Sequence, residues 1–122
     1  MYTLSVSQYI SAAHQLNDYD GPCSRIHGHN WKVQIDVRAH SLDNTGIAVD
    51  FNDLEKWLWQ IIGPLDHQLI NTVPPFDRLN PTAENLVQYI FTEMKKRLPS
   101  GVTLVRVSAW ETDSCMVSYE ES

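Results

Sequence analysis

HGHNWKVQIDVRA, residues 27 to 39, decides the fold. Trp31, Val33, Ile35, Val37 and Ala39 alternate with Asn30, Lys32, Gln34, Asp36 and Arg38. A two-residue period puts one set on each side of an extended chain, so the stretch predicts a half-buried strand. His27 and His29 share the parity of Trp31, and both imidazoles continue the core-facing row. Gly28 between them lets another group approach the backbone closely. A core has no need of two such polar rings at its margin.

On the N-terminal side, Leu4, Val6 and Ile10 alternate with Thr3, Ser5 and Ser7 and predict a first strand from Tyr2 to Ser11. Residues 15–25, QLNDYDGPCSR, carry the Asn, Asp, Gly and Pro of a loop. On the C-terminal side, LDNTG (42–46) is a turn, and Asp50 is placed to cap a coming helix. Leu54, Trp57, Leu58, Ile61 and Ile62 form one helical face, ended by Gly63-Pro64. After a Pro-rich loop a second helix starts near Pro81 or Thr82. Its apolar face is Ala83, Leu86, Val87, Ile90, Phe91 and Met94, and Glu84 suits the dipole of its first turn. Thr103, Val105, Val107 and Ala109 form a further strand row, and Cys115 to Tyr119 a short last strand. The order ββααββ, with hairpin-like links at each end, predicts an α+β domain over residues 1–122: an antiparallel four-stranded sheet with two helices on one face. Its two unpaired edges predict subunits that pair edge to edge.

The 122 residues are 43% hydrophobic and 20% charged, with a net charge of −6. Without a run of Lys or Arg, a nucleic-acid partner is not expected. No apolar run approaches the length of a membrane span. The opening MYTLSVSQYI lacks the charged and apolar regions of a secretory leader, and two cysteines make a poor disulfide framework. A reduced, cytoplasmic setting is the expectation.

His14 has the parity of Leu4, Val6 and Ile10. If the first two strands pair, His14, His27 and His29 converge at one end of the sheet. Three neutral imidazoles with an open position suit a working zinc site rather than a structural one. Cys23 lies in the adjoining polar loop. It reads either as a fourth ligand or as a thiol whose pKa a nearby metal lowers. Cys115, in a late strand with no cluster around it, reads as an inert thiol. His40 reads as a solvated turn residue, and Arg25 and Lys32 as solvated cations.

His14, Cys23-x3-His27-Gly28-His29, Leu65-Asp66-His67-x2-Leu69-Ile70-Asn71, Pro81-Thr82-Ala83-Glu84-Asn85 and Glu111-Thr112 follow one another in an order and spacing that resembles the 6-pyruvoyltetrahydropterin synthase / 6-carboxytetrahydropterin synthase family, over nearly the whole chain. The resemblance implies the tunnelling fold, with subunits closing a barrel and stacking as a homohexamer, a dimer of trimers. It implies zinc on His14, His27 and His29, and Cys23 as the general base. It makes Asp66 and His67 an acid/base relay, although neighbouring side chains can diverge and the two need not touch. Glu111 becomes the anchor of the pterin ring, and the active site is shared between subunits, with residues such as Glu111 approaching from a neighbour. The substrate implied is 7,8-dihydroneopterin triphosphate. One branch eliminates triphosphate to a pyruvoyl product on the way to tetrahydrobiopterin. Another releases acetaldehyde and leaves a 6-carboxy group, toward 7-deazaguanine and queuosine. A third replaces the cysteine by glutamate, which Cys23 argues against. The compact length favours the bacterial carboxy branch. A zinc- and pterin-binding assembly protein without turnover is the reading from a different class, and Cys23 with His67 argue against it.

Overall fold

The structure, a computed structural model, describes residues 1–17, 20, 21 and 24–121. Alternation produces the strands expected of it. β1 (Tyr2–His14) and β2 (His27–Ala39) pair antiparallel along their whole lengths, from Tyr2 opposite Ala39 at one end to His14 opposite His27 at the other. β3 (Val102–Thr112) and β4 (Cys115–Tyr119) complete an antiparallel sheet of order β1-β2-β3-β4. β1 runs three residues past the expected end at Ser11, and that extension carries His14 into the sheet.

Two helices cover one face. α1 (Phe51–Ile62) begins where the Asp50 carboxylate accepts the Asn52 amide, 2.8 Å away, so the expected cap is real. Leu54, Leu58, Ile61 and Ile62 are buried, and Trp57 packs at the margin. Gly63 does end α1, through a short 3-10 turn containing Pro64. α2 (Ala83–Lys95) is capped by the Thr82 hydroxyl, which accepts the Asn85 amide. All six residues expected on its apolar face are buried. They meet Trp31, Val33, Ile35 and Val37 of β2 in one core. Burying a side chain such as Leu54 or Ile90 contributes about 1.5–3 kcal/mol, and this set dominates the stability.

β3 departs from simple alternation. Asp36 faces Arg106 while Val37 faces Leu104, so Val105 is an extra residue and the register slips. Leu104 rather than Thr103 or Val105 is therefore buried beside Val107 and Ala109, which corrects the expected row. A second irregularity follows: Trp110 faces Met116 and Thr112 faces Cys115, which leaves Glu111 as the extra residue.

The sheet's other face is polar and holds one buried charge. The Asp36 carboxylate accepts bonds from the Ser5 hydroxyl, from Gln34 Nε2 at 3.0 Å and from Arg106 Nε at 2.9 Å. Burial alone would raise its pKa. The bonds from Ser5, Arg106 and Gln34 and the Arg106 charge outweigh that and hold it below the usual range. Asp36→Ala is expected to lower stability by about 1–3 kcal/mol, read from the urea midpoint. Because the folded pKa is depressed, this contribution is present above the ordinary carboxylate pKa and fades as pH falls through the folded one. The gap between wild type and variant should therefore close below about pH 4. A gap that persists in acid would show that the charge is not what Asp36 contributes.

Candidate metal centre

The β1–β2 register that buries the core also gathers the histidines. His14 lies opposite His27, and His29 stands two residues along on the same face. Ring centroids are 4.5 Å apart for His14 and His27, 4.9 Å for His27 and His29, and 5.3 Å for His14 and His29. One nitrogen from each lies within 4.8 Å of the other two, so a single cation can face all three. Among the described residues this is the one such grouping of metal-ligating side chains.

The rings are arranged as ligands rather than as core histidines. His14 Nδ1 donates to the Pro81 carbonyl at 2.8 Å, and His27 Nδ1 donates to the Arg25 carbonyl at 2.7 Å. Each bond fixes the tautomer that leaves Nε2 as a free lone pair, the habit of a metal-bound histidine. His14 Nε2 and His29 Nε2 are both buried with no hydrogen-bond partner. Burying such atoms unsatisfied costs about 1–3 kcal/mol each, and a bound cation removes that cost. Burial holds the His14 imidazole below its ordinary pKa, against its bond to Pro81. Burial lowers His29 as well, against the opposing Glu111 carboxylate. Neutral imidazoles are the form that binds a metal. Trp31, wholly buried, stands edge-on to His14 and His29 at 5.1 and 5.2 Å.

Glu111 reaches this cluster within its own chain: Oε2 is 3.6 Å from His29 Nε2. It shares the parity of Val107 and Ala109 and stands at the irregularity in β3. Glu111 lines a cleft of about 200 Å³ with Ala83, Glu84, Cys115, Met116 and Val117. Glu84, whose sequence position marks only a helix start, thus brings a second carboxylate to that cleft. Cys115 is an exposed free thiol at its rim. A larger groove of about 610 Å³, lined by Met1, Tyr2, Leu42, Ile47 and Phe51, lies at the opposite end of the sheet, away from these groups.

Asp66 and His67 do touch each other. Asp66 Oδ2 lies 3.0 Å from His67 Nδ1, while Oδ1 accepts the Ser11 amide at 2.9 Å. The Ser11 amide, with the His67 ring, keeps the Asp66 carboxyl below its usual pKa. His67 has a φ of 59°, a conformation rare for a side-chain-bearing residue and common at functional positions. Its side chain is 79% exposed. It lines a cleft of about 500 Å³ with Ser11, Gly28 and Asn30, and His29 of the histidine cluster lines the same cleft. The dyad therefore lies along the β1 edge and is not one of the grouped ligands. Cys23 falls outside the described residues.

Residues 3–122 match the profile of the family described as 6-pyruvoyl tetrahydropterin synthase. The chain is 36% identical over 118 residues to the 6-pyruvoyl tetrahydrobiopterin synthase of Homo sapiens, covering 93% of this chain and 80% of that protein. It is 33% identical over 126 residues to the 6-carboxy-5,6,7,8-tetrahydropterin synthase of Bacillus subtilis, covering 97% and 84%. The solved structure of Caenorhabditis elegans 6-pyruvoyl tetrahydropterin synthase superposes with a TM-score of 0.88 at 25% identity, covering 99% of this chain and 96% of that one.

Proposed function

The chain belongs to the 6-pyruvoyl tetrahydropterin synthase family, and from that premise we propose that it converts 7,8-dihydroneopterin triphosphate and water to 6-carboxy-5,6,7,8-tetrahydropterin, acetaldehyde and triphosphate. The observation that carries the reading is the group of three imidazoles, those of His14 and His29 with buried, unpartnered nitrogens, beside the Glu111 carboxylate. A catalytic zinc uses such a set, three protein nitrogens with the fourth position open. His14, His27 and His29 are the residues that hold it. Zinc bound there supplies Lewis acidity to the hydroxyls of the substrate side chain.

The protein's own groups do the rest. Glu111 accepts two N–H bonds from the amino-pyrimidine edge of the pterin, a charge-assisted pair that fixes the ring, and Glu84 borders the same cleft. Cys23 as thiolate takes a proton from the side chain. His67 moves a proton on the other side, with the Asp66 carboxylate 3.0 Å from its Nδ1 and its ring exposed.

The exposed dyad, lying along the β1 edge, supports a site completed by a second copy. The odd residues of β1 turn their amides and carbonyls to the free edge. Both groups of Ser11 and the Ala13 amide are taken by residues 66–68. Among the described residues nothing pairs with those of Thr3, Ser5, Ser7 and Tyr9. That stretch is where a neighbour's β4 edge can continue the sheet into the barrel of a homohexamer. No helix among the described residues is long and apolar enough to cross a membrane. A cytoplasmic setting and a place in 7-deazaguanine synthesis go with the carboxy product.

Greater identity to the human protein favours a second reading, triphosphate elimination to the pyruvoyl product. One assay separates them: zinc-loaded protein is incubated with 7,8-dihydroneopterin triphosphate and the acetaldehyde released is measured. The expected result is acetaldehyde in equal amount to the substrate consumed. Consumption without acetaldehyde would establish the second reading. Zinc and pterin binding with no consumption would make the chain a binding protein.

A further inference from the structure

The free edge of β1 carries a ladder that is only partly backbone. Its odd residues meet the chain between 66 and 80 at a two-residue period. The Ser11 amide donates to Asp66 Oδ1, the His67 amide donates to the Ser11 carbonyl at 2.6 Å, and the Ala13 amide donates to the Gln68 carbonyl at 3.0 Å. Past His14 the rungs become side chains. The Gln15 amide donates to Asn71 Oδ1 at 2.9 Å, and Asn71 Nδ2 donates to the Gln15 carbonyl at 2.8 Å. The Asn17 amide donates to Asn80 Oδ1 at 2.9 Å, and Asn80 Nδ2 donates to the Asn17 carbonyl at 3.2 Å. A carboxamide carries the same donor and acceptor as a peptide unit, so each asparagine stands in for one residue of a neighbouring strand.

We propose that Asn71 and Asn80 form a two-rung clamp that positions the metal centre, with Asn80 acting through the Pro81 carbonyl on the His14 ring. The proposal rests on the metal reading above. Asn80 is itself held: its carbonyl accepts from Asn85 Nδ2 at 2.9 Å and from the Thr82 amide at 2.8 Å. The next residue, Pro81, presents the carbonyl that takes the His14 Nδ1 proton. The chain from His14 to Asn17, the Asn80 rung, the Asn80–Pro81 peptide and the Pro81–His14 bond thus close a short circuit. Moving Asn80 away from Asn17 moves the acceptor that orients a ligand. Asn71 grips the residue after His14 and has no link to Pro81, so its effect is smaller.

The test is zinc affinity by competition with a chromophoric chelator, together with the visible spectrum of the cobalt(II)-loaded protein. Wild type, Asn80→Ala, Asn80→Asp and Asn71→Ala are compared, with melting temperatures of the metal-free forms alongside. Asn80→Asp keeps the acceptor for the Asn17 amide and sets an oxygen against the Asn17 carbonyl, so it loses one bond without losing bulk. Expected are zinc affinities about 10-fold weaker for both Asn80 variants, altered cobalt bands, and a smaller change for Asn71→Ala. Wild-type affinity and spectrum in the Asn80 variants, whatever their melting temperatures, would reduce the clamp to an edge-stabilising device and overturn the proposal. Wild-type protein that binds no zinc would instead overturn the metal centre itself and the clamp with it.

Discussion

Replacing His14 with glutamine is expected to abolish stoichiometric zinc and, with it, turnover, while the chain still folds. His14 is 1% exposed, and its ring fills the space between His27, His29 and Trp31. Alanine there would open a cavity and leave the Pro81 carbonyl without its donor, confusing loss of metal with loss of fold. Glutamine keeps most of the volume and can still donate to Pro81. It offers an amide in place of an imidazole nitrogen, a poor match for zinc. Loss of a direct ligand should exceed the 10–100-fold penalty typical of an outer partner, so zinc affinity should fall by more than about 100-fold. Metal content by mass spectrometry after dialysis, set beside a urea unfolding curve, separates the two effects. A variant that folds, keeps one zinc per chain and turns over would remove His14 from the ligand set.

That such a variant can be named from a string of letters follows from how strands work. Parity alone put His27 and His29 beside Trp31, and His14 in line with Ile10. One hairpin register then brought the three together. Hydrophobic period did the same for α2, whose six apolar residues are all buried. What parity could not show was any place where the backbone breaks the count. The extra residue at Val105 exchanges Leu104 for its neighbours, and the one at Glu111 breaks the pairing with β4. Neither carries a side-chain signature. The Asp66–His67 contact is accompanied by a left-handed φ at His67, which the alternation of side chains does not announce. Asn71 and Asn80 bond to partners 56 and 63 residues away in sequence, beyond any local pattern. The fold was legible because its period is local. The clamp and the second carboxylate of the cleft were not, because they depend on where a loop returns.

Replacing Cys23 with alanine is expected to leave zinc content and assembly unchanged and to lower turnover of 7,8-dihydroneopterin triphosphate by about 10²–10⁴-fold, the usual contribution of a positioned base. Three imidazoles would already satisfy a catalytic zinc, leaving the fourth position for the substrate's hydroxyls. A thiolate occupying it would block them. A thiolate beside it is kept ionised by the cation's charge and stays free to take a proton. The two roles for Cys23 therefore predict opposite metal contents for one variant. Zinc retained with turnover lost makes Cys23 the base. Zinc lost with turnover makes it a ligand, and the site then closes into a structural one. Turnover retained sends the search for a base to the dyad, where Asp66→Asn removes the carboxylate charge beside His67 Nδ1. Mixing Cys23→Ala protein with His67→Ala protein adds a test of sharing between copies. If the base and the dyad serve one site from two chains, mixed assemblies contain some intact sites and recover activity that neither parent has. If both serve the chain that carries them, mixing recovers nothing.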